Sequence, residues 1–98
     1  MTNIVTLIVT AYCHCSVCCG TSGQPTASGK MPRAGVTVAA SRTIPFGTTV
    51  LIPSLNGKRI VQDRLAKRYD NRVDIFMSTH DEAKKWGKQI LPVTFITK

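Results

Sequence analysis

At 98 residues the chain has room for one domain, spanning 1–98, and its 43% hydrophobic content with seven glycines and five prolines describes a turn-rich globular fold rather than a disordered tail. Thirteen Lys and Arg against five acids give a formal charge of +8, which favours an anionic partner such as nucleic acid, an acidic membrane face or an anionic polymer. No run is long and apolar enough to span a membrane, and Met1-Thr2-Asn3 lacks the basic start of a signal peptide. The expectation is synthesis in the cytoplasm, with any action outside it depending on another exit route.

Asn3–Tyr12 mixes Ile, Val and Leu with threonine and reads as a central strand, apolar on both faces. Residues 13–35 are rich in glycine, proline, serine and cysteine and read as a long loop, of the kind that is either functional or cross-linked in a small domain. Its start, Cys13-His14-Cys15-Ser16-Val17-Cys18-Cys19, holds all four thiols, and Cys15 and Cys18 have metal-ligand spacing. Cys13, Cys15, Cys18 and Cys19 are therefore candidate ligands of a structural zinc, with His14 or His80 available to complete the set. Reduced thiols and disulfides are the alternatives, and no other cofactor is expected.

Val36–Ala40, Thr48–Ile52 and Arg59–Val61 are short strands, with Pro45-Phe46-Gly47 marking a turn and Asn56-Gly57 a hairpin. Leu65–Asn71 is a charged connector, in which Asp70 and Asn71 start a turn. Val73–Met77 is a strand with Val73, Ile75 and Met77 on one face and Arg72, Asp74 and Phe76 on the other. The one helix runs from about 79 to 87: Thr79 as N-cap and Glu82 three residues later form a capping box, and Gly87 ends it. Ala83 and Trp86 make its apolar stripe, so Trp86 is read as core. Leu91–Thr97 closes the order, which is that of a small β-rich barrel or sandwich with one helix attached.

Asp63 and Asp74 stand eleven residues apart, each among strand-type residues, in a chain with only five acids. A partly desolvated carboxyl beside a sheet keeps its proton near neutral pH, as a general acid must. Asp63 would raise the pKa of Asp74 through like charge, holding it by a shared proton or a water, while Phe76 walls off solvent and Arg72 and Arg64 push the other way. The plain alternative is salt-bridging of both acids to Arg64, Arg72 or Lys58 at strand ends.

The ordered series Thr10-Ala11-Tyr12-Cys13, Cys18-Cys19-Gly20, Thr26-Ala27-Ser28-Gly29, Val38-Ala39-Ala40, Ile44-Pro45-Phe46-Gly47-Thr48, Val61-Gln62-Asp63-Arg64, Arg72-Val73-Asp74-Ile75-Phe76, His80, Ala83 and Trp86-Gly87 resembles the 3D (three-aspartate) domain. That family is related to the core of a class of membrane-bound lytic transglycosylases and to double-psi β-barrels of the rare-lipoprotein-A and barwin type. The resemblance implies a mainly β fold, a six-stranded double-psi β-barrel. It also implies non-hydrolytic cleavage of peptidoglycan between N-acetylmuramic acid and N-acetylglucosamine, leaving a 1,6-anhydro sugar. The family's second and third aspartates fall on Asp63 and Asp74, the latter as principal acid/base. The chain departs from the pattern twice: Ala40-Ser41 stands where the first aspartate is expected, and Arg64-Leu65-Ala66-Lys67-Arg68-Tyr69 replaces a glycine-rich stretch.

Thr26, Ser28 and Gly29 are small enough to let a glycan chain approach, Tyr12 and Phe76 offer rings beside it, and Arg64 adds a charged edge; these are the candidate substrate-binding residues. His80 is read as a helix-capping residue, with a place near Asp74 as the alternative. The expected partner is the peptidoglycan glycan strand, met by a monomer at the bacterial cell wall, and the small basic chain without an export signal suits a phage- or prophage-encoded muralytic protein. Three rivals stand beside this reading: an inactive glycan-binding or structural barrel, a zinc module, and a nucleic-acid-binding barrel. The last needs aromatics interleaved with basic residues on one sheet face, and one Trp, two Tyr and three Phe leave little for it.

Overall fold

The structure, a computed structural model, describes residues 2–13, 27–53, 55, 57–65 and 71–97. Six strands and one helix follow in the order β1 (Thr2–Tyr12), β2 (Thr37–Ala40), β3 (Thr49–Leu51), β4 (Arg59–Arg64), β5 (Arg72–Phe76), α1 (His80–Trp86) and β6 (Gln89–Ile96). The strands close into a barrel in the order β1-β5-β2-β4-β3-β6. β1 pairs with β5 and β2 with β4 in parallel, and the other pairs are antiparallel. Parallel neighbours need crossover connections, so the chain is no simple meander. The expected mainly β, six-stranded barrel with one short helix is what forms.

The interior is β-branched. Val9, Val38, Val50, Val61, Val73, Ile75 and Val93 are fully buried and Phe95 nearly so. Alternation along each strand then sends the intervening residues to the outer wall. Val73 and Ile75 point into the core as read from the sequence, with Asp74 and Phe76 on the opposite face. The hairpin between β3 and β4 is also as expected. Gly57 takes φ +83°, a left-handed conformation open to glycine without strain, while Asn56 lies outside the described residues.

Two expectations need correction. β1 is central but not buried on both faces along its length: Ile4 is 69% exposed and Val5 44%. The reason is length, since β5 pairs only with Ile8–Tyr12 while β6 follows β1 from Thr2 to Val9, so the start of β1 runs past β5. The fourth strand does not stop at Val61 but continues to Arg64, which brings Asp63 onto the sheet.

The helix is capped as expected, with one variation. Thr79 Oγ1 accepts from the Glu82 N–H (3.1 Å), but the Glu82 carboxylate returns to the hydroxyls of Ser78 (2.6 Å) and Thr79 (3.0 Å). Trp86 packs against the core and its indole N–H donates to Val9 O (3.1 Å), pinning α1 to β1. Thr79→Ala is expected to lower stability by about 1 kcal/mol, a Tm drop of roughly 4–8 °C in a calorimetric scan.

Candidate active site

The site is a row of residues on the outer wall, set by strand register. Thr10 on β1 is the Cα partner of Asp74 on β5; Asp74 is partnered by Ala39 on β2, and Ala39 in turn by Asp63 on β4. Partners in adjacent strands project to the same face, so Thr10, Asp74, Ala39 and Asp63 share one surface. Asp63 reaches it only through a register step. Val38 pairs with Val61 but Ala39 with Asp63, which leaves Gln62 as an extra residue on β4. Plain alternation would turn Asp63 to the same side as the fully buried Val61; the step turns it outward. Thr37 holds the extra residue by donating its hydroxyl to Gln62 Oε1 (2.7 Å).

Asp74 is partly buried and accepts a hydrogen bond from Thr10 Oγ1 (3.0 Å). Burial pushes its carboxyl up to about 6; the Thr10 bond and the Arg72 charge pull it down, and Asp63 adds a lesser upward push. The like-charge effect expected from Asp63 is thus present but secondary to desolvation. Asp74 at this value exchanges its proton close to neutral pH, the requirement for a general acid that later acts as base.

Asp63 has a different environment. Its Oδ1 accepts from the backbone N–H groups of Ala27 (2.9 Å) and Arg64 (2.9 Å), and its Oδ2 from Tyr12 Oη (3.2 Å). With β2 between their strands, the α-carbons of Asp63 and Asp74 are roughly 10 Å apart. The Asp63 carboxylate is thus engaged by three donors, while that of Asp74 accepts from Thr10. Two acids kept in unlike surroundings are how one site obtains two roles.

The flanking candidates fall around this row. Tyr12 reaches from the end of β1 to Asp63, and its ring meets that of Phe76 edge-on with centroids 5.4 Å apart. Phe76 is 7% exposed, so it serves as a wall of the site more than as an open stacking surface. Ser28 donates its N–H to Gln62 O (3.1 Å), which together with the Ala27–Asp63 bond lays residues 27–28 along β4; Gly29 follows with φ +87°. Thr26 lies outside the described residues. Arg64 turns away from Asp74: its guanidinium sits 3.8 Å from the centroid of the Phe46 ring and donates to Ser41 O (3.4 Å). Ser41, where the first family aspartate was expected, is buried and joins its hydroxyl to that of Thr43 (3.0 Å) in the turn after β2.

Of the candidate metal ligands, Cys13 is buried, with Sγ 4.0 Å from His80 Nδ1. Cys15, Cys18, Cys19 and His14 lie outside the described residues, as do Asp70 and the stretch 66–69. Among the described residues no group of three or more His, Cys, Asp or Glu side chains could hold a metal ion. His80 contacts the end of β1 through Cys13. The residues that sequence reasoning did not single out are Thr10, Ala39, Phe46 and Gln62. All four sat inside the quoted motifs but carried no chemistry of their own, and Ala39 and Gln62 gain meaning only from register.

Fold and site together define a small closed β-barrel with a partly buried carboxyl, raised to about 6, on its outer wall. Residues 36–97, well over half of the chain, match the family model of the 3D domain, and the chain belongs to the 3D domain family. A comparison with curated proteins gives no match. Membership is consistent with a peptidoglycan-related function and with a cell-wall-active enzyme. Among the described residues no helix is long and apolar enough to cross a membrane.

Proposed function

We propose that this protein is a peptidoglycan lytic transglycosylase acting on the glycan strand of the bacterial cell wall. Asp74 in its protonated form donates to the oxygen bridging N-acetylmuramic acid and N-acetylglucosamine as the C1–O bond breaks. The C6 hydroxyl of the same muramic residue then attacks C1 and yields its proton to the Asp74 carboxylate, which regenerates the acid and closes a 1,6-anhydro ring. One carboxyl serves in both directions, so the second acid required by a retaining hydrolase is not needed for the chemistry. Asp63 acts as a positioning residue through Tyr12 and the segment at Ala27.

The observation that carries this reading is the partly buried Asp74 carboxyl on the outer wall of the barrel, bonded to Thr10 Oγ1 and raised by burial to about 6. The acid must be protonated to start the reaction, so the rate is expected to fall as pH rises above about 6. Mass spectrometry of muropeptides released from purified sacculi tests the reaction: anhydro-muramyl ends are expected. Reducing ends in their place would mean hydrolysis. The buried Ser41 at the first-aspartate position favours a second reading, a glycan-binding barrel without catalysis. Wild-type protein that binds sacculi and releases nothing would establish that reading instead.

A further inference from the structure

A pocket of about 300 Å³ opens on the outer wall beside Asp63, lined by Ser28, Lys30, Phe46, Ile60 and Gln62 among others. Its volume is at the low end of small-ligand pockets, and its make-up is of the usual kind, an apolar surface with a few polar groups. Two links tie it to the acid–base row. Gln62 immediately precedes Asp63 on β4, and Ser28, bonded to Gln62 O, follows Ala27, whose N–H binds the Asp63 carboxylate.

The pocket has a shape and a sign. The Phe46 ring is 43% exposed and is held from one side by the Arg64 guanidinium, 3.8 Å from the ring centroid. A ring fixed in this way offers a rigid platform for the C–H face of a sugar. Lys30 is exposed on the lining and brings a positive charge to it.

We propose that this pocket is a sugar subsite that selects a residue bearing a carboxylate, with Phe46 packing the ring and Lys30 meeting the acid. The proposal rests on reading the neighbouring row as a glycan-cleaving site. It goes further in making Lys30 and Phe46 specificity determinants that separate an acidic cell-wall glycan from a neutral polymer of similar sugars. The carboxylate has two sources, the lactyl group of a bare muramic residue or the peptide stem attached to it.

Binding to Asp74→Asn protein, measured calorimetrically so that nothing is consumed, tests this with three probes: chitin oligosaccharides, glycan strands stripped of peptide, and strands with peptide. A carboxylate-bearing strand is expected to bind roughly fivefold tighter than the neutral oligomer, the size of one exposed ion pair, and the margin should shrink as salt rises. Lys30→Glu should abolish that margin and leave chitin affinity unchanged, and Lys30→Arg should keep it. Phe46→Ala should weaken all three probes, with Phe46→Tyr as the folded control that retains a ring. Preference for stripped strands points to the lactyl group; preference confined to peptide-bearing strands points to the stem. Equal affinity for all probes, or a Lys30→Glu loss shared by the neutral oligomer, overturns the subsite. Absence of anhydro products from wild type, with the preference intact, would remove the cleavage reading and leave the subsite standing.

Discussion

Asp74→Asn is expected to abolish release of anhydro-muropeptides while making the protein more stable at pH 7. Removing a general acid lowers a rate by roughly 10²–10⁴-fold. The stability gain follows from the same desolvation that tunes the acid. Folding lifts this carboxyl from its ordinary 3.8 to about 6, so between those values the folded state binds more protons than the unfolded one. The Asp74 contribution to stability is therefore fully present below about pH 4 and is lost as pH rises through about 6. That rise from 3.8 to about 6 corresponds to at most about 3 kcal/mol. Asparagine keeps an acceptor oxygen for Thr10 Oγ1 and carries no charge to desolvate. Thermal unfolding should place the variant on the order of 10 °C above wild type at pH 7, with the two converging at pH 4. An Asp74→Asn protein that still cleaves at a wild-type rate would end the catalytic assignment. One that is no more stable at neutral pH would end the account of how the acid is tuned.

For Asp63 the expected pattern is the reverse. Asp63→Ala strands the N–H groups of Ala27 and Arg64 and the Tyr12 hydroxyl at once. Bonds to a charged acceptor contribute about 1.5–3 kcal/mol each, and water at the exposed Ala27 recovers part of that, so a loss of roughly 2–4 kcal/mol is expected. Activity should fall with it, because Tyr12 and the 27–28 segment lose their anchor. Asp63→Asn is the discriminating variant. It retains one oxygen to accept from the Ala27 and Arg64 N–H groups, and its NH2 can donate to Tyr12 Oη, so most of the stability and activity should return, and the alkaline limb of the rate profile should move to lower pH because Asp63 no longer lifts Asp74. An Asp63→Asn protein as inactive as Asp74→Asn, yet fully folded, would mean that position 63 takes part in the chemistry itself.

Much of this architecture was legible because local rules and tertiary needs agreed. β-Branched alternation marked β5 and its two faces, Asn56-Gly57 marked a hairpin, and Thr79 with Glu82 marked the helix start. The candidate acid was legible too, as Asp74 in the motif around it. The function of Asp63 was not. Its strand appeared to end at Val61, since Gln62-Asp63-Arg64 lacks the apolar alternation that signals a continuing strand. Arg64 likewise reads as a charged edge for substrate until Phe46, far off in the sequence, is found beneath it.

The amino-acid sequence by itself determined the barrel class and the membership and singled out Asp74 as the candidate acid, because each is encoded in residue types at short range. Only the folded chain decided that Thr10, Asp74, Ala39 and Asp63 form one row, that a single unpaired step at Gln62 turns an inward position outward, and that Phe46 and Lys30 border the same wall. Register between distant strands is set by packing the whole barrel, and no local run of residues carries that information.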